Sequence, residues 1–334
     1  MGTQAICAFC EDKETDENLI NHTSNFAYFG SNKNLQNQES NLNIEENPLS
    51  FTFTPAGSNY SKIISDFGII KWSNNSIFKG YFKNNIPNGW GIYFHHTNGS
   101  FQGEYYNDQP NGFGIFTHET EANYMGYWKN DRQDGIGIEK WQEGVEYVGE
   151  FSMGKKQGIG KYVFPNGYIY YGEWEQNLMN GYGLYLFDQN KIYIGEWLNG
   201  LKDGYGEIYG ENHNYFFGFY RNNTQNGFFL SYNDKTGKII VGYNANGKID
   251  GIAKYFMPEN EGRILILKNG HKIKEIKNLA DLETSNEEND IKYKKQLNKY
   301  FYMNREEIEE ILKKKINNEN YYEMVELLKR DENQ

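Results

Sequence analysis

The chain has 334 residues and a formal net charge of −11, with 38% hydrophobic residues, 17% aromatics and 36 glycines against 6 prolines. That balance excludes broad nucleic-acid binding, which needs a basic surface to meet phosphates, and no run of about 18 apolar residues exists that could cross a bilayer. Length alone would allow two ordinary domains, but Tyr and Phe carry the apolar load, which predicts thin sheets, tight turns and large rings lying across them.

Residues 1–50 are acidic and rich in Asn, Glu and Ser, the composition of a disordered tether. Gly2 after the initiator Met is an acceptor for N-myristoylation, with Cys7 and Cys10 placed for palmitoylation, although Ile6 departs from the preferred Ser/Thr. One myristoyl chain holds a membrane only marginally, so a second signal is needed. Residues 1–59 hold eight acidic and two basic side chains, so palmitate rather than a polybasic patch would have to supply it. The plainer reading is a start codon followed by Gly and two idle thiols. Cys7 and Cys10 lack the second pair of ligands that a zinc site needs and the βαβ context of a redox motif. No secretory segment and no disulfide framework are present, which predicts a reducing, cytoplasmic setting.

Residues 51–77 read as a decayed capping repeat, because Gly57 and Gly68 precede Gly80 and Gly91 by 23 residues. From residue 78 to 271 the chain repeats itself eight times. The first glycine of each unit is Gly80, Gly103, Gly126, Gly149, Gly172, Gly195, Gly218 and Gly242, spaced by 23 six times and then by 24. A second glycine follows nine residues later in every unit, from Gly89 to Gly251. A third closes a Gly-x-Gly in six units, with Phe229 and Ala253 in its place in the last two.

Each unit predicts a hairpin. In one of them Tyr193–Trp197 is an aromatic strand, Leu198–Asp203 a polar turn and Gly204–Tyr209 the return strand. Period-two alternation puts Tyr193, Gly195 and Trp197 on one face, with Ile194 and Glu196 on the other. A glycine between two rings leaves room for an aromatic side chain to lie flat on the backbone. The 24-residue step falls around Asn233–Gly237 and predicts a longer turn with pairing intact. Single hairpins are unstable in water, so stability must come from stacked neighbours.

The starts Tyr170–Trp174 and Tyr193–Trp197, with Gly-x-Gly nine residues on, resemble the MORN repeat family, here of a protist-type, non-enzymatic kind. The resemblance covers residues 78 to 256 and implies a mainly β fold, an elongated single antiparallel sheet of tandem β-hairpins, with a C-terminal α-helical segment after it. It also implies attachment. Members of the family sit at membrane junctions, in ciliary radial spokes and in protist cytoskeletons, or serve as side domains of lipid kinases and a lysine methyltransferase. Partner contact is expected from the ring series Tyr124, Trp128, Tyr147, Tyr170, Trp174, Tyr193 and Trp197, which could equally hold neighbouring hairpins together. Lys129, Lys155, Lys156, Lys161 and Lys202 do not recur at one repeat position through the array, so no continuous cationic stripe for lipid forms.

In residues 272–334 the glycine pattern stops. Residues 291–302 suggest helix, and Asn304 is a helix N-cap before Glu306, Glu307, Glu309 and Glu310. Ile308, Ile311, Leu312 and Ile316 then form an apolar stripe, and a second helix carries Tyr322 and Val325. These helices either cover the last hairpin and cap an exposed edge of the array or dock a partner or a second copy.

No catalytic constellation stands out, and no cofactor is expected. His95 and His96 should point to opposite faces of a strand and so should not share a metal. Glu104, Glu150, Glu173 and Glu196 could suggest a calcium ladder, but Tyr81, Tyr127, Phe219 and Tyr243 interrupt it, leaving exposed strand-face carboxylates. Gly112-Phe113-Gly114 lacks the lysine and the strand-to-helix switch of a phosphate loop. The sequence therefore predicts a scaffold for ciliary or cytoskeletal proteins. The alternatives are a lipid-anchored tether at the inner face of a membrane and an accessory subunit of a lipid kinase or methyltransferase.

Overall fold

The computed structural model describes residues 66–316 apart from 121, 188–190, 211–212, 259 and 286–287. The expectations for Gly2, Cys7 and Cys10, for residues 1–50 and for the helix at Tyr322 and Val325 lie outside the described residues.

The chain divides into two compact units. The N-terminal unit holds β1 (Asp66–Lys71), β2 (Ile77–Lys83), β3 (Ile86–His95), β4 (Gly99–Tyr106), β5 (Gln109–Thr117), β6 (Asn123–Lys129), β7 (Arg132–Lys140), β8 (Glu146–Ser152) and β9 (Lys155–Val163). The unit boundary runs through β10 (Ile169–Glu175). The C-terminal unit follows with β11 (Leu178–Leu186), β12 (Ile192–Leu198), β13 (Leu201–Tyr209), β14 (Tyr215–Arg221), β15 (Thr224–Asn233), β16 (Lys238–Ala245), β17 (Lys248–Met257), β18 (Asn260–Lys268) and β19 (His271–Ile276). Among the described residues four α-helices follow: α1 (Leu279–Thr284), α2 (Glu288–Lys294), α3 (Lys299–Tyr302) and α4 (Arg305–Ile316).

From β1 to β9, and again from β11 to β19, each strand pairs antiparallel with the next in chain order. The fold is therefore mainly β, made of tandem antiparallel hairpins with helices after them, as the sequence predicts.

The hairpin turn is tighter than the predicted Leu198–Asp203. Only Asn199 and Gly200 turn, with φ of 53° and 81°, while Leu198 pairs with Leu201 and Trp197 with Lys202. Positive φ at both central residues is the primed turn that matches strand twist. The surplus residues enter the return strand as a bulge between the Gly195–Gly206 and Trp197–Lys202 pairs, where Gly204 takes φ +106°. That conformation is what the second repeat glycine supplies. The 24-residue step behaves as expected, since β15 and β16 pair without interruption from Gly227–Asn244 to Asn233–Lys238.

At the end of the array, Asn304 caps α4 in both directions. Its side chain accepts from the Glu307 N–H (3.0 Å), and the Glu307 carboxylate accepts from the Asn304 N–H (2.7 Å). Ile308, Leu312 and Ile316 are buried and Ile311 is half-buried, so the predicted stripe is real. The helices cover the last hairpin, with Ile264, Ile266 and Ile276 in the shared core, and reach well beyond its edge. The helices lie on the face of the C-terminal unit that carries Phe217, Leu230, Val241, Ile252 and Ile266, and share one apolar core with it. An amphipathic helix buries more area against a sheet face than against the row of backbone groups at an edge.

Candidate docking faces

Each hairpin has a ring face and a second face. On the ring face, a Cβ at Gly195 would stand 2.5 Å from the Gly206 Cα and 2.6 Å from the Tyr193 Oη, so only the paired glycines let that ring lie on the backbone. The Tyr193 hydroxyl donates to the Glu196 carbonyl (3.0 Å), and the Trp197 indole N–H donates to Gly183 O of the preceding hairpin (3.4 Å). Trp197 meets Tyr193 edge-on at 5.2 Å and Tyr170 of the preceding repeat at 5.4 Å. The same bridging recurs where Trp128 meets Tyr124 and Phe101, and where Trp174 meets Tyr147. These edge-to-face contacts are the nearest-neighbour coupling that a repeat array requires.

The expectation that this ring series touches a partner is corrected by its burial. Tyr124, Tyr147, Tyr170 and Tyr193 are wholly buried, and Trp128, Trp174 and Trp197 nearly so. The hydroxyls of Tyr124, Tyr147 and Tyr193 and the indole N–H groups of Trp128, Trp174 and Trp197 already bond to backbone, so these rings are the interior of the repeats. In the last two repeats Phe229 and Ala253 replace the third glycine, and Phe216 stacks on Phe229 at 5.7 Å instead of lying over a glycine pair.

The second face differs between the units. In the C-terminal unit it carries α1–α4, tied down by Lys254 Nζ donating to the Phe301 and Met303 carbonyls (2.8 and 2.9 Å) and by Arg305 donating to Gly237 O (2.9 Å). Lys315 of α4 pairs with Glu207 at 2.6 Å, and the Tyr209 hydroxyl donates to the other carboxylate oxygen at 2.7 Å. Burial would raise the Glu207 pKa, but hydrogen bonds from Lys315, Tyr205 and Tyr209 outweigh it and hold the carboxyl below its usual range. In the N-terminal unit no element among the described residues covers the second face. Tyr81, Trp90, Phe113, Ile115, Met125, Tyr127, Ile136 and Ile159 are all exposed.

Three local arrangements escaped the sequence reading. The repeat glutamates are not idle surface carboxylates. Glu104, Glu150 and Glu196 each accept from the backbone N–H that follows the bulge glycine, of Phe113, Ile159 and Tyr205 (3.3, 3.1 and 3.1 Å), which satisfies a donor the bulge leaves unpaired. Lys156 is buried beside Glu139 at 2.9 Å and lies 4.8 Å from the Trp141 ring and 5.1 Å from Tyr147. Those two positions hold Met179 and Tyr162 one repeat later.

The third arrangement is in the turns. Asn177 and Asn223 accept from the N–H of Lys156 and Lys202, 21 residues earlier, both at 2.7 Å. At the equivalent place Asp131 faces Pro110, which has no N–H, and its Oδ1 is buried without a partner. Burial, then the nearby Asp108 charge, opposed by Arg132, pushes the Asp131 pKa up to about 7.

His95 and His96 are also corrected. Their rings stand 4.7 Å apart, because β3 ends at His95 and strand alternation no longer governs His96. Burial and the neighbouring His96 lower the His95 pKa. Among the described residues, no group of three or more His, Cys, Asp or Glu side chains is disposed to hold a metal ion, and no helix is long and apolar enough to cross a membrane.

A family model described as the MORN repeat matches residues 101–120, 124–145, 147–167, 170–190 and 193–215. No curated protein matches the sequence. Among solved structures, the chain is similar to the TCP domain of SAS-4 from Drosophila melanogaster in complex with a proline-rich motif of Ana2, at 15% identity and TM-score 0.24, covering 50% of this chain and 91% of that one. A catalytically inactive virginiamycin B lyase from Staphylococcus aureus with quinupristin gives 14% identity and TM-score 0.14, covering 64% and 70%. Neither likeness is close enough to carry an argument.

Proposed function

The chain is a MORN-repeat protein over residues 101–215, and on that premise we propose that it is a non-catalytic scaffold docking partner proteins on its repeats, in a cilium or a membrane-associated cytoskeleton. The observation that carries the reading is the open second face of the N-terminal unit. Trp90 is 43% exposed, Tyr127 54% and Ile136 65%, on strands whose ring faces are packed shut. Large side chains held on rigid strands at little entropic cost are the material of an interaction surface.

Proximity labelling with the full chain tests the reading. Neighbours drawn from ciliary or cortical cytoskeletal assemblies, lost when Trp90, Tyr127 and Ile136 are changed together to serine, are expected. A neighbourhood that the triple change leaves untouched contradicts docking on this face.

A second reading, anchorage by lipid at the inner face of a membrane, is supported by Gly2 with Cys7 and Cys10. Mass spectrometry of the native N-terminus tests it. Myristoylated Gly2 with palmitate on a cysteine is expected, and retained Met1 or an acetylated terminus contradicts it.

A further inference from the structure

We propose that residues 317–334 lie on the second face of β10, β11 and β12 of their own chain and close that stretch of the repeats to partners. Tyr321, Met324, Val325 and Leu328 would pack there against Ile169, Leu184, Leu186 and Ile192. The proposal goes beyond the scaffold reading and does not depend on it.

This face is buried beyond the reach of the described helices. Strand alternation opposite the ring residues Tyr170, Tyr185 and Tyr193 puts Ile169, Leu184, Leu186 and Ile192 on the second face. There Leu184 pairs across strands with Ile194, and Leu186 with Ile192. Ile169 is 2% exposed, Ile192 3%, and Leu184 and Leu186 4% each. At the same repeat positions in the N-terminal unit, Ile115 in place of Leu184 is 38% exposed and Phe94 in place of Leu186 is 50%. Among the described residues, the apolar core beneath α1–α4 runs from β19 to Tyr215 and Phe217 of β14, with Tyr205 and Tyr209 of β13 against it. It takes in no residue of β10, β11 or β12. Burial of four aliphatic side chains within a single chain therefore calls for a further apolar segment of that chain.

The chain supplies one at that place. α4 ends at Ile316, and Lys315 beside it bonds to Glu207 of β13 at 2.6 Å. Burial and the Glu207 charge raise the Tyr182 pKa while the Lys315 charge opposes them, so the same ammonium also stands near β11. From β13 to β10 is three strand spacings, about 14 Å, which about ten helical residues span. Residues 317–334 are long enough for that. Tyr321, Met324, Val325 and Leu328 recur at i, i+3, i+4 and i+7, the spacing of one apolar helix face, with Glu323, Glu326 and Arg330 opposite. The other segments outside the described residues are worse placed. The internal ones hold at most three residues each, and residues 1–65 lead into β1 of the other unit.

The test places the photo-cross-linker benzoylphenylalanine at Ile194 of the full chain, a half-buried position on this face, and maps the cross-linked peptides by mass spectrometry. Cross-links within one chain to residues 317–334 are expected. Cross-links to residues 1–65, to another protein or to a second copy, or none at all, overturn the proposal. A second measurement is independent of that substitution. In the triple variant Tyr321→Ser/Val325→Ser/Leu328→Ser, hydroxyl-radical oxidation of Leu184, Leu186 and Ile192 should rise to the rate of the exposed Ile115, while Leu230 stays protected because the unit remains folded. Oxidation of the three unchanged from wild type overturns the proposal as well.

Discussion

In the C-terminal unit the second face lies under helices, and Leu230 and Val241 are wholly buried there; in the N-terminal unit the equivalent Ile115 and Met125 face solvent. Strand pairing, turn and bulge are the same in both. The repeat therefore specifies its ring face from within, through paired glycines and bridging aromatics, and leaves the second face to whichever amphipathic segment reaches it. The local sequence agrees with this division. The last two repeats also differ on the ring face, where Phe229 and Ala253 replace the third glycine and Phe216 stacks on Phe229, whereas the six repeats before them keep the glycine pair.

Substitutions at one repeat position should separate the units most clearly. Leu230→Ser places a hydroxyl and a void beneath the helices and should cost about 4 kcal/mol. Ile115→Ser, at the same repeat position in the open unit, should fall within about 0.5 kcal/mol of wild type. Urea denaturation followed in both variants checks this, and similar losses would erase the distinction between the faces.

The next effect belongs to the ring face. Lys156→Met leaves the Glu139 carboxylate buried and unpaired and should cost about 3 kcal/mol. Adding Glu139→Tyr recreates the Met179 and Tyr162 arrangement of the following repeat and should recover most of the loss. A double variant as unstable as the single one would show that the ring face is not set repeat by repeat.

Smaller effects come from titration, and their signs oppose each other. Asp131 has a folded pKa raised to about 7, so the folded state binds the extra proton and stability falls as pH rises from about 4 through 7. Asp131→Asn should stabilise the N-terminal unit by about 1 kcal/mol above pH 7 and by progressively less toward pH 4. Glu207 has a folded pKa held below its usual 4.5, so its grip on α4 is present above that value and fades as pH falls through the lower folded one. Hydrogen exchange read separately in the two units should show acid tightening the turns around Asp131 and loosening α4. The same direction in both units would contradict these assignments.

The glycine register made the hairpins legible in the sequence, because a bulge and a ring lying on the backbone tolerate almost no other residue. The helix cap at Asn304 was legible for a similar reason, a local hydrogen bond with a fixed spacing. Burial of the ring series was not, since an alternating pattern shows that residues share a face but not whether anything covers it. Pro87 and Pro110 held the clue to Asp131, but only the pairing of turns 21 residues apart reveals that a donor is missing. Phe113 reads as part of a failed phosphate loop until cross-strand register pairs its ring with Tyr127 on the second face.

Hydroxyl-radical footprinting of the full chain, read by mass spectrometry, tests the contrast between the units most directly. The account predicts rapid oxidation at Phe113, Met125 and Tyr127, with Phe217, Leu230 and Ile252 protected. Protection of Phe113 and Tyr127 in the isolated protein, or oxidation of the C-terminal set at a comparable rate, would contradict it.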